Sequence, residues 1–232
     1  MSDDELALHR GHRDRMKNRF ICNGFEGFDD HQVLEMLLFY CYARRDTNEI
    51  AHKMINKFGS LHNLFEANPL EISQKCKVSK NVAVLVSMVP MLSRRYNLSK
   101  WRKGTQLTTS KQAGEYCISL FIGEVNECMY LICLNNQRNI ICTEKISEGT
   151  ITQTMVYPRI IVQEALKHKA VAVIIAHNHP GGATTTSKSD LDLTVQIIKA
   201  LDTIDIYVED HIIVSGLDYY SFSEHKALPH WY

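Results

Sequence analysis

Six apolar residues, Val171 to Ala176, run without interruption into His177, Asn178, His179 and Pro180. A run this short, rich in β-branched residues and followed by Pro180, Gly181 and Gly182, reads as a buried strand. Successive strand residues face opposite sides, so His177 and His179 point the same way and two imidazoles can reach one metal. The Pro180-Gly181-Gly182 turn lets the chain come back, and Asp190, eleven residues after His179, adds a carboxylate. Two histidines and a carboxylate suit a divalent metal, Zn2+ first, and leave a fourth position for water. A carboxylate ligand keeps the loaded site at net +1, enough to acidify bound water. Asp190 has a second reading. Ser187-Lys-Ser-Asp190 fits a capping box at a helix start, and a capped first turn is a rigid place to mount a ligand.

The rest of the chain divides at about residue 100. Before it, no run looks like a strand. Asp29/Asp30 can cap a helix over 31–42, Asp46 or Thr47 one to Phe58, and Ser60 a short one over 61–67. Pro69 suits a first helical turn, and Ser79 opens a helix carrying Val82, Leu85, Val86, Val89 and Leu92 at helical spacing. Beyond it, strands 129–134 and 140–143 flank the polar turn 135–139 as a hairpin. Helices are expected over 109–122, 158–168 and 187–201, and strands over 170–176 and 205–214, with a short last strand within 217–223. Strands interleaved with helices indicate an α/β sandwich around a mixed sheet, preceded by a small all-α domain. The expected division is 1–98 helical, 99–107 linker and 108–232 α/β.

Composition excludes several classes. The longest uncharged apolar run near the start, Met36–Tyr42, is too short to span a bilayer. The acidic opening Met1-Ser-Asp-Asp-Glu is unlike a signal peptide, so a cytoplasmic protein is expected. Seven cysteines, an odd number with no C-x-x-C pair, read as small buried residues in a reducing compartment. Net charge is zero, but residues 1–103 carry an excess of about +5 and the remainder about −5. The basic excess clusters at Arg10, Arg13, Arg15, Lys17 and Arg19 and again at Arg94, Arg95, Lys100, Arg102 and Lys103, and Arg13, Arg15 and Lys17 are the candidate nucleic-acid contacts. No H-E-x-x-H occurs, which argues against a zincin protease. No H-x-E with a later P-C-x-x-C occurs, which argues against a zinc nucleobase deaminase. His211 reads as a satisfied core histidine that could also back the metal site.

H-x-H, seven residues, Ser, two residues, Asp is the JAMM (MPN-plus) metalloprotease signature, and residues 177–190 fit it. The form H-N-H-P, then Gly182, Ser187 and Asp190, resembles the bacterial RadC-like (UPF0758) proteins. So do the segments His9–Met16, His31–Leu38, Lys57–Ser60, Pro158-Arg159, Glu164-Ala165 and Asp210–Val214. The resemblance implies a cytidine-deaminase-like MPN/JAB sandwich behind a helix-hairpin-helix-like domain. It implies one Zn2+ per chain on His177, His179 and Asp190, and a glutamate base at the start of an upstream central strand. Glu127 occupies that place, with Glu124, Glu144 and Glu148 as competitors. Ser187 would donate to the developing oxyanion. The implied reaction is hydrolysis of a peptide or isopeptide amide in a protein or peptide substrate, by metal-activated water. The alternative is a DNA-associated accessory or repair protein whose helical domain binds nucleic acid and whose second domain is a scaffold or acts on DNA-linked substrates. The sequence departs from the family pattern at Gly181, at Thr184-Thr185-Thr186, and at Lys75–Lys80, where the glycine turn of the hairpin module is missing.

Overall fold

The computed structural model describes residues 11–148, 158–182 and 184–229. The acidic opening, His9 and Arg10, named above, lie outside the described residues. Contacts divide the chain into two units, Met1–Met91 and Leu92–Tyr232.

The first unit is helical: α1 (His12–Asn23), α2 (Asp30–Leu38), α3 (Asn48–Phe58), α4 (Leu61–Glu66), α5 (Pro69–Cys76) and the start of α6 (Lys80–Leu98). The expected punctuation is in place. Asp29 forms a capping box with Gln32, Ser60 and Asn68 cap α4 and α5, and Gly59 ends α3 at φ +83°. Leu34, Leu38, Met54, Leu64, Ile72, Val82 and Val86 close one buried core. The glycine-free turn after α5 still adopts a left-handed residue, and Lys77 supplies it at φ +55°. α2 is shorter than the sequence suggests, because residues 39–41 leave the helix as turns.

The second unit is an α/β sandwich. Its elements are α7 (Ser110–Phe121), β1 (Cys128–Leu134), β2 (Ile140–Glu148), α8 (Pro158–Lys167), β3 (Ala172–Asn178), α9 (Lys188–Asp202), β4 (Tyr207–Ser215) and β5 (Asp218–Ser221). The strands lie in the order β2-β1-β3-β4-β5. Among the described strands only β3 and β4 pair in parallel, and α9 is the crossover between them. β1 and β3 are buried along their whole length, which is why both read as continuous apolar runs. Even-numbered residues of β1 and β3 (Tyr130, Ile132, Ile174, Ala176) pack with α7. Odd-numbered ones (Leu131, Cys133, Val173, Ile175) pack with α8 and α9. Residues 104–107, read from sequence as linker, hydrogen-bond along 138–140 beside the edge strand.

The α7 layer fits tightly. A methyl group at Gly114 would lie 2.6 Å from three atoms of the Tyr219 ring. Gly114→Ala is therefore expected to lower stability by about 1–3 kcal/mol through overpacking. Urea unfolding reads this directly, and an unchanged midpoint would show that the ring yields freely.

Candidate metal centre

β3 delivers His177 as its penultimate residue, on the face covered by α9. The chain then continues the pairing past the strand end, where the His179 N–H donates to the Val214 carbonyl at 2.8 Å. Gly181 turns at φ +68°, a conformation that favours glycine, and the Gly182 N–H returns to the His179 carbonyl. The Ser215 hydroxyl also donates to the carbonyls of His179 and Gly182. The turn is thus fastened to the end of β4.

α9 delivers Asp190. Ser187 is its N-cap and accepts from the Asp190 N–H at 3.1 Å, while Oδ2 of Asp190 accepts from both the Ser187 N–H and hydroxyl at 2.7 Å. Oδ2 is consumed by the cap, and Oδ1 faces His177 Nε2 at 3.4 Å. Burial alone would raise the Asp190 carboxyl, but the His177 imidazole beside it and the hydrogen bonds from Ser187 outweigh it and hold it well below the usual carboxylate range. An anion at this position also suits the helix N-terminus.

Three donors therefore converge. His177 Nε2 and His179 Nε2 are 3.0 Å apart, and Asp190 oxygens lie 3.4 and 3.8 Å from them. Nitrogen and oxygen ligands about 2.0–2.1 Å from one ion, at tetrahedral angles, stand about 3.3–3.4 Å from each other. The observed separations, 3.0 to 3.8 Å, bracket that value, so two imidazoles and a carboxylate stand where they could hold one ion.

The hydrogen-bond chain behind His177 fixes which of its nitrogens is free. The Thr194 hydroxyl donates to the Asp190 carbonyl at 2.6 Å, so at its 2.6 Å contact with His211 Nδ1 it must accept. Burial, then the neighbouring His177, pushes the fully buried His211 well below its ordinary pKa and keeps it neutral. With its one proton on Nδ1, His211 Nε2 accepts from His177 Nδ1–H at 2.8 Å. The Nε2 lone pair of His177 is thereby turned toward His179 and Asp190. A ligating histidine held by its other nitrogen is the usual way of fixing tautomer and ring orientation. Thr194→Val removes the terminal acceptor and is expected to weaken metal binding about 10- to 100-fold. Competition with a chromophoric chelator measures this, and an unchanged affinity would mean the chain does not orient His177.

Glu127 offers a carboxylate oxygen within 4.8 Å of ligand nitrogens on both His177 and His179. The competing glutamates are engaged elsewhere. Glu124 is bound by Arg94 at 2.7 Å, Lys145 at 2.9 Å and the Tyr130 hydroxyl at 2.8 Å. Glu144 pairs with His168, and Glu148 with Lys145. The backbone on either side of Glu127 is held by Asn178. Asn178 lies between the two histidines and faces the α7 side. Its Oδ1 accepts from the Cys128 N–H at 2.8 Å, and its Nδ2 donates to the carbonyls of Asn126 at 3.0 Å and Glu124 at 3.3 Å. Alternation along β3 thus sends two side chains to the metal donors and one to the segment that carries Glu127. Ser187, expected at the oxyanion, has its hydroxyl turned to Asp190 and to Ser189 Oγ.

Residues 107–227 match the family model for the RadC-like JAB domain. A UPF0758 protein of Fusobacterium nucleatum subsp. nucleatum is 34% identical over 223 residues, covering 93% of this chain and 96% of that protein. A UPF0758 protein of Janthinobacterium sp. (strain Marseille) is 36% identical over 216 residues, with the same coverage. Neither name states an activity.

Proposed function

The chain belongs to the RadC-like JAB family, and we propose that it is a zinc-dependent hydrolase of the JAMM type, cleaving a peptide or isopeptide amide. The observation that carries this reading is the convergence of His177 Nε2, His179 Nε2 and the Asp190 carboxylate, with a second carboxylate, Glu127, beside the histidines. When bound, zinc supplies a Lewis acid and lowers the pKa of water toward neutrality. The protein's own groups do the rest. Glu127 accepts the proton of the attacking water and returns it to the leaving amine, a general-base and general-acid role. Ser187 keeps Asp190 oriented through the cap, and in the substrate complex its hydroxyl turns to the oxyanion. His211 and Thr194 hold the His177 tautomer. The seven free cysteines suit a reducing compartment such as the cytoplasm. Among the described residues no helix is long and apolar enough to cross a membrane.

The test is a screen of peptide and isopeptide amides with the chain stripped of metal and then reloaded. Hydrolysis that chelation abolishes and zinc restores supports the proposal. Hydrolysis indifferent to chelation would overturn it.

A second reading has its own observation. The helical unit contains a cleft of about 1370 Å³ lined by seven lysines and arginines, among them Arg13, Lys17, Lys53 and Lys57, against four carboxylates, Asp14, Glu35, Asp46 and Glu49. That basic excess suits a polyanion, and the DNA-associated role would be exercised there. Duplex DNA affinity is then expected to fall steeply with salt, and more shallowly once Lys53 and Lys57 are neutralised. Salt-independent binding would remove this reading.

A further inference from the structure

A second set of metal-type donors lies apart from the His177 site, on the same face of the sheet. Cys142 and Glu144 are two residues apart on β2, so they share a face. Register sets Cys142 opposite Cys133 and Glu144 opposite Leu131, the two β1 residues covered by α8 and α9. α8 runs above them. Glu164 and His168 are four apart at its C-terminal end, one above the other on one helix face. A strand period of two and a helix period near four thus bring four donors together. Ligand atoms of Cys142, Glu144 and His168 all lie within 4.8 Å of one another. Glu164 Oε2 is 3.5 Å from His168 Nε2.

The imidazole is the second observation. His168 Nε2 is sealed from solvent and makes no hydrogen bond among the described residues. It lies 3.2 Å from Glu144 Oε1 and 3.5 Å from Glu164 Oε2, so two carboxylates face one buried imidazole nitrogen. Two carboxylates set against one sealed nitrogen call for a cation between them, which a proton or a metal ion can supply. Cys142 is the sulfur that the fold places among these donors.

We propose that Cys142, Glu144 and His168, with Glu164 as fourth donor, form a structural site for a divalent transition metal, zinc by ligand type. Thiolate, imidazole and carboxylate together select a borderline ion such as zinc and disfavour magnesium or calcium. Three protein anions leave the loaded site at net −1, and Lys167, 2.8 Å from Glu164, offsets that charge. Four protein donors leave no open position, so the ion would fasten the edge strand β2 to the end of α8.

The experiment is cobalt titration of the full chain, followed by absorption. The His177 site contains no sulfur, so a thiolate-to-cobalt charge-transfer band reports only the second site. The band is expected to saturate with one equivalent and to bleach on zinc addition. It should vanish in Cys142→Ser, weaken at least tenfold in cobalt affinity in His168→Gln and in Glu144→Gln, and persist in Cys41→Ser and in His179→Ala. Circular dichroism establishes that each variant is folded. Glu144, on the exposed rim, serves if the Cys142 variant does not fold. No band over several equivalents of cobalt, or a band that survives Cys142→Ser, overturns the proposal. Either result leaves the His177 site untouched.

Discussion

Glu127→Gln is expected to leave the chain folded and metal-loaded while lowering the rate of amide hydrolysis about 100- to 10,000-fold, the usual range for a lost general base. Glutamine keeps the size of the side chain and loses only its basicity. The effect should fall on kcat, because the proton is transferred in the transition state and not on substrate binding. The residue is placed for that role by its distance from the histidines and by the Asn178 clamp on residues 124–128. Glu124→Gln makes the contrasting control. Burial would raise the Glu124 carboxyl, but Lys145, Tyr130 and Arg94 together lower it. Glu124 therefore contributes stability above the ordinary carboxylate pKa and loses it as pH falls through its depressed folded value. Its substitution should cost stability and spare the chemistry. Metal-loaded Glu127→Gln with full activity would assign the base elsewhere.

His179→Ala is expected to remove one equivalent of metal per chain and with it all metal-dependent hydrolysis. His179 is the better choice of the two histidines, because His177 is fully buried and its truncation would open a cavity in the sheet. The His179 side chain is 21% exposed, so its loss leaves packing nearly intact. Two donors remain, and they lack the affinity to retain an ion against a chelator. Equilibrium dialysis against a competing chelator reads the loss. Retention of that equivalent would mean His179 is not a ligand.

Most of the framework was legible because it obeys simple periods. β1 and β3 announce themselves as unbroken apolar runs since both faces are covered, and Ser187 and Asp190 as a capping pair because that box has a fixed spacing. The misses have physical reasons. α1 buries only Met16, so it carries no apolar stripe. β2 continues five residues beyond the apolar part that betrayed it, through the polar Glu144 to Glu148, because an edge strand is half exposed. Asn178 was hidden inside the histidine motif, its role set by a segment fifty residues away. Thr194 sits one helical turn after Asp190, and His211 on a neighbouring strand. Only the pairing of β3 with β4 reveals that they complete one hydrogen-bond chain. Cys142 and His168 have no motif spacing at all, and only the packing of α8 on β2 unites them.

The most direct measurement is X-ray absorption at the zinc edge on the zinc-loaded Cys142→Ser chain, which keeps the His177 site and lacks the sulfur ligand of the other. The account predicts one zinc bound by two imidazoles and oxygen donors, with no sulfur in its shell and with that zinc lost on His179→Ala. Zinc absent from that chain, or bound with no imidazole, would contradict it.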